Sequence, residues 1–154
     1  MGVVLRRAVP VLVVALLLAT PVATAWLVGD LTNREARRLA AEGVPLDYFL
    51  RPVSLGATGD RVVGVLACVL VILSLALLIR ATATRTLDSR WWTVLLALML
   101  SGALIGFAWR VMTAGGIGAN IGAGLVVLAG GPVLLLLLIV AAVQAFRLRR
   151  QQAA

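Results

Sequence analysis

Residues able to do chemistry are few in this chain. Its 154 residues include no His, a single Cys at position 68, six acids and fourteen basic residues, all of them Arg. Without imidazole there is no ordinary base near neutral pH and no His ligand for a metal. Cys68 sits inside an apolar run, where a thiol with no basic neighbour is inert. One Cys builds neither an internal disulfide nor a metal cluster. Gly116-x-Gly118 lacks the third glycine of a dinucleotide fingerprint, because Ile121 takes that place, and no strand precedes it. Catalytic, cofactor and metal residues are therefore expected to number none, and the protein is expected not to be an enzyme.

One charge stands out by its position. Arg110 lies in WRVMTAGGIGANIGAG, residues 109–124, between two long apolar runs. Gly102, Gly106 and Arg110 are spaced by four and share one stripe of a helix. Gly102-x-x-x-Gly106 lets a neighbouring helix approach closely, so the stripe should face protein. A charge facing protein wants a partner. Asp30 and Asp60 are the acids expected at the same level, and Asn120 can add a hydrogen bond. Gly115, Gly116 and Gly118 allow a tight turn, and Gly118-x-x-x-Gly122 allows the following helix to pack. The expectation is a structural latch of Arg110 with Asp30 or Asp60, supported by Asn120, on packing surfaces at Gly102, Gly106, Gly118 and Gly122. Such a pair near water is worth about 1–3 kcal/mol. The competing reading makes Arg110 and Asn120 the lining of an outer vestibule for an anion.

The elements that must position these residues follow from composition. Hydrophobic residues make up 62% of the chain and charged ones 13%, against about half and a quarter in soluble domains. A soluble domain of this length cannot hide so much apolar surface, whereas a bilayer can. Four runs reach spanning length, at about 8–28, 62–80, 91–112 and 121–146, and none alternates as barrel strands do. The fold class expected is an all-α integral membrane protein, a four-transmembrane-helix bundle in a single domain over 1–154. Pro21 in the first run and Gly130-Gly131-Pro132 in the fourth predict kinks. The first run also reads as a cleavable signal peptide. Arg6 and Arg7 precede an apolar stretch from Val9 to Ala19, and Ala23-Thr24-Ala25 fits a cleavage site.

Orientation follows from the arginines. Arg6, Arg7, Arg80, Arg85, Arg90, Arg147, Arg149 and Arg150 flank the spans on one side, with Asp88 their sole acid. The 29–60 loop with Arg61 balances five arginines by five acids. The positive-inside rule then puts both termini in the cytoplasm and the long loop outside. Trp91, Trp92 and Phe146 suit the inner interface, and Tyr48 and Phe49 the outer one. Topology accounts for the basic excess, so no nucleic-acid partner is expected. The all-Arg usage fits a bacterial coding bias, and the expected location is a bacterial cytoplasmic membrane. The partners expected are the lipid bilayer and a second membrane protein or another copy of the chain.

The outer loop should carry one short helix near Asn33–Glu42. Thr32 and Glu35 have the spacing of a capping box. Arg38 and Glu42 make an i,i+4 pair, Gly43 ends the helix and Pro45 prevents restart. Asp60 is the expected N-cap of the second span.

Within the spans the polar residues are Thr20, Thr24, Ser74, Thr93 and Ser101, none of them ionisable. Proton relays and coupled transporters place ionisable groups there. The functional expectation is therefore a non-catalytic accessory, assembly or envelope-associated factor. The alternative is a transporter or channel-like protein with its vestibule near Arg110, and an enzyme acting on lipid through the outer loop ranks last.

Overall fold

The computed structural model describes residues 2–116 and 119–153. Helices account for 79% of the chain, with no strand among the described residues. The elements are α1 (Gly2–Val28), α2 (Arg34–Ala41), α3 (Gly56–Ala83), α4 (Trp91–Met112), α5 (Ala119–Leu125) and α6 (Gly131–Ala153). Four segments are long and apolar enough to cross a membrane: Ala8–Val28, Gly56–Ala83, Trp91–Met112 and Ile121–Gln151.

The second long helix starts six residues before the expected 62 and the last runs past 146, because polar ends extend helices beyond their apolar centres. α1 runs unbroken through Pro10 and Pro21. The fourth apolar run is interrupted where the sequence suggests. Pro132 has no amide to give Leu128 and its ring crowds that carbonyl. The chain answers with a π-helical turn at Val126–Gly130, between α5 and α6.

α2 forms as expected but with a different cap. Asn33, rather than Thr32, is the N-cap, and its Oδ1 accepts the Ala36 amide at 2.7 Å. Arg38 and Glu42 pair at 3.1 Å. Gly43 takes φ +84° and closes the helix with two bonds, Gly43 N to Ala40 O at 3.1 Å and Val44 N to Leu39 O at 2.9 Å. That is the Schellman pattern, for which glycine is suited. α3 ends the same way, with Arg85 to Thr82 at 3.0 Å and Thr86 to Ala81 at 2.8 Å. There the left-handed residue is Arg85, φ 54°.

Asp60 is a second correction. It lies inside the first turns of α3, not at its N-cap. Its carboxylate reaches back to the Leu55 amide at 2.9 Å and the Ser54 hydroxyl at 2.7 Å. It thus ties the loop to the helix it enters.

The long helices lie side by side in the order α3, α1, α4, α6. α1 packs on α3 and α4, and α4 packs on α1 and α6. Among the described residues α6 meets neither α1 nor α3. The bundle is thus an open row whose ends do not close on each other. Leu16, Leu78 and Leu95, from α1, α3 and α4, form the buried apolar cluster far from Arg110. Trp92 Nε1 donates to the Thr82 hydroxyl at 2.9 Å at that end. Ala19, Ala23 and Ala67 bring α1 and α3 together in the middle. Val94, Ala97, Ala141 and Leu148 join α4 to α6. Of the four long apolar segments α4 is the best covered by its neighbours and the last run the least.

Candidate functional site at the Arg110 end

Glycine sets how closely the helices meet here. A Cβ on Gly106 would lie 2.3 Å from the Pro21 carbonyl oxygen and 3.0 Å from the Ala25 nitrogen. Those are backbone atoms that cannot step aside, so α1 and α4 touch main chain to main chain. One on Gly102 would meet Thr20 and Pro21 at 3.3 Å, a tight fit. The stripe through Gly102, Gly106 and Arg110 therefore faces α1, as its spacing predicts. Gly64 of α3 does the same for α1 through a side chain. Its Cβ would stand 2.0 Å from Cγ of Trp26, whose ring lies on the bare glycine. Sequence reasoning passed over this pair, although a glycine in an otherwise bulky helix signals a close approach.

α1 and α4 run parallel, since Leu16 lies by Leu95, Pro21 by Gly106 and Ala25 by Arg110. Both helices therefore bring their C-terminal, partially negative ends to one place. α1 has no basic residue in its last turn. Arg110, in the last turn of α4, supplies it. Its Nε donates to the Ala25 carbonyl. That carbonyl also accepts the Gly29 amide in a long bond of 3.3 Å. The half-buried guanidinium thus caps the end of α1 by a hydrogen bond, while its charge also sits in the last turn of its own helix.

This differs from the expected ion pair. Among the described residues Arg110 stands within 4.0 Å of no carboxylate, and Asp30 pairs instead with Arg37, at 3.5 Å. Arg37 also donates to the carbonyls of Thr32 at 3.0 Å and Asp30 at 3.2 Å. Local geometry decides this, because Arg37 on the first turns of α2 can reach Asp30 without leaving water. Asp30 still feels Arg110. Partial burial pushes its carboxyl up, but hydrogen bonding by Thr32 and the charges of Arg37 and Arg110 outweigh that and hold it below the usual carboxylate range. Asp60 shares a groove with Arg110. The backbone of Asn120 lies in the first turn of α5, its side chain outside the described residues, as is all of Gly118. Gly122 is not a tight contact, since a Cβ there would meet Val111 at an ordinary 3.5 Å.

The loop before α3 and the turn after α4 are locked together above Arg110. Gly115 N donates to the Thr32 hydroxyl at 3.1 Å, Leu50 N to Met112 O at 3.0 Å and Gly116 N to Asp47 O at 3.2 Å. Tyr48 lies on Gly115, where a Cβ would come within 2.8 Å of its ring. Gly115, expected as a turn residue, is also the seat of this tyrosine.

Two cavities flank the guanidinium. A polar one of about 200 Å³ lies under the locked loops, lined by Asp30, Thr32, Tyr48, Arg110 and Thr113. A larger one of about 430 Å³ opens between α1, α3 and α4, with Trp26, Trp109, Arg110 and Asp60 at its rim. Below it a groove of about 350 Å³ continues between α1 and α3, and Val22 and Val63 line both. No group of three His, Cys, Asp or Glu that could hold a metal occurs among the described residues. The chain matches no protein-family model, and neither a curated protein nor a solved structure is found to resemble it.

Proposed function

We propose that the protein is a multi-pass membrane protein of the bacterial cytoplasmic membrane, with both termini inside, acting as a non-catalytic accessory or assembly factor. The observation that carries this reading is the open row. α6 is attached along α4, and most of its apolar surface, including Leu135 and Leu136 at 60 and 62% exposure, is left for lipid or a second protein. Two parallel helices clamped by glycine and capped by Arg110 make a rigid half, on which α6 presents a free edge. The arginine asymmetry supports the orientation. Reporter fusions after Arg85 and after Gly43 should read cytoplasmic and periplasmic respectively.

The test of the accessory role is a photo-crosslinking side chain placed at Leu136 in the full chain in living cells. A discrete protein adduct is expected there, and none from the same group at Leu148, which is buried against α4. Lipid adducts at both positions would overturn the reading. The cavity of about 200 Å³ beside Arg110 favours a second reading, an anion vestibule. Anion flux in proteoliposomes that is lost in Arg110→Gln would establish it in place of the first.

A further inference from the structure

The larger cavity and the groove below it form one slot with a polar head and an apolar body. The head lies between Arg110 and Asp60, and the body descends between α1 and α3 to Ala15 and Leu70. From Ala25 to Ala15 the slot follows ten residues of α1, about 15 Å at the helical rise. That is half of the ~30 Å hydrocarbon thickness, the depth of one leaflet. Its walls below the rim are small or branched apolar residues such as Ala19, Val22, Val63 and Ala67.

The head carries one charge of each sign. Arg110 commits Nε to the Ala25 carbonyl, and among the described residues its two terminal nitrogens have no hydrogen-bond partner. These are the atoms that grip phosphate in a fork. Asp60 accepts one bond on each oxygen, from Ser54 and Leu55, and a carboxylate can accept about four in all. A primary ammonium fills the rest.

We propose that this slot seats one glycerophospholipid with an ethanolamine-type headgroup, its phosphate on Arg110, its ammonium on Asp60 and an acyl chain between α1 and α3. The proposal rests on the membrane reading above. An anionic lipid leaves Asp60 facing negative charge, and a choline headgroup has no N–H to donate to it. No residue of α6 lines the slot, whose walls come from α1, α3, α4 and the loop before α3.

The test uses the full chain with Trp91→Phe and Trp92→Phe, which leaves Trp26 and Trp109 at the rim as reporters. The protein is reconstituted in phosphatidylcholine vesicles. Chain-brominated phosphatidylethanolamine, phosphatidylglycerol or phosphatidylcholine is then added in increasing mole fraction. Brominated phosphatidylethanolamine should half-quench the emission at about a tenfold lower mole fraction than the other two, the worth of one charge-assisted contact. Asp60→Asn keeps an acceptor for Leu55 and should erase that preference. Arg110→Gln should erase it as well, and if that variant fails to fold the Asp60 variant decides by itself. Equal quenching by all three lipids, stronger quenching by phosphatidylglycerol, or a preference surviving Asp60→Asn would each overturn the proposal. Carbonate extraction of the protein from its native membrane separates the two levels. Release into the soluble fraction defeats the membrane reading, whereas equal quenching of an integrated protein defeats the lipid slot with that reading intact.

Discussion

α1 and α6 are both long apolar helices held by α4, but they are held in different ways. α1 meets α4 through Gly102, against the side chains of Thr20 and Pro21, and through Gly106, backbone against backbone, and the contact ends in a guanidinium bonded to a carbonyl. α6 meets α4 through the side chains of Val94, Ala97, Ala141 and Leu148, and its glycines at 130 and 131 leave room for a Cβ. On the membrane reading proposed above, burial of leucine gains little, since lipid is as apolar as the partner helix. What distinguishes a fixed contact from a loose one is then close approach and polar bonding. α1 has both along its C-terminal half. α6 has a long surface, a hydrogen bond from Arg90 to Gln151 at 3.1 Å, and the stacking of Arg150 on its own Phe146.

The sharpest way to break the comparison is to fill the glycine seat. Gly106→Leu should cost about 3 kcal/mol or more, the upper range for overpacking against atoms that cannot move. Thermal unfolding in detergent would show it as a large fall in Tm. Gly122→Ala on the other side of α4 should leave Tm unchanged, because ordinary contact distance awaits its methyl group. Gly64→Val should come next, displacing the Trp26 ring at a cost of about 2 kcal/mol. A shift of Trp26 emission toward longer wavelength would report the displacement.

Loss of the cap is a smaller effect. Arg110→Gln should destabilise by about 1–2 kcal/mol, the usual worth of a charge-assisted hydrogen bond and a favourable charge at a helix end. Because Asp30 binds Arg37 rather than Arg110, the double change Arg110→Gln with Asp30→Asn should be close to additive in Tm. Strong non-additivity would restore the ion-pair latch. Asp30 also sets an acid limb. Its folded value is lowered, so its contribution is present above the unfolded value of about 3.9 and is lost as pH falls through the folded one. Asp30→Asn should therefore flatten part of the fall in Tm below about pH 4, and only part, because the side chain is 59% exposed.

Two substitutions at the other end and edge complete the series. Arg85→Gly should raise stability by about 0.5–1 kcal/mol, relieving a left-handed conformation that costs L-residues free energy. Leu136→Ala on the free face of α6 should move the isolated protein by less than about 0.5 kcal/mol. A large loss there would show that α6 is held by contacts its exposure does not reveal.

What was legible in the sequence was whatever rested on run length and helix spacing. The spans, the inward turn of Gly102 and Gly106, the Arg38–Glu42 pair and the stop at Gly43 all follow from local rules. The partner of Arg110 did not. Charge seeks charge and so points to the acids, yet the acceptor is a main-chain carbonyl, and every residue in a sequence has one. Trp26 on Gly64 and Tyr48 on Gly115 were hidden for a related reason. A glycine shows that something comes close, while the identity of the visitor depends on tertiary register. The open row was equally illegible, since four apolar helices of this length are compatible with a ring or a line.

The parallel pairing of α1 with α4 also has a bearing on synthesis. The antiparallel contact of α1 with α3 joins neighbours separated by one loop and can form as soon as the second span is made. The contact of α1 with α4 is completed by Arg110, 85 residues beyond the carbonyl it caps. Until the ribosome has delivered it, Ala25 and the wide mouth between α1 and α3 stay open. The last span is then added to a unit already closed, and a chain released soon after Gly116 already carries nearly every contact that holds the first three spans together.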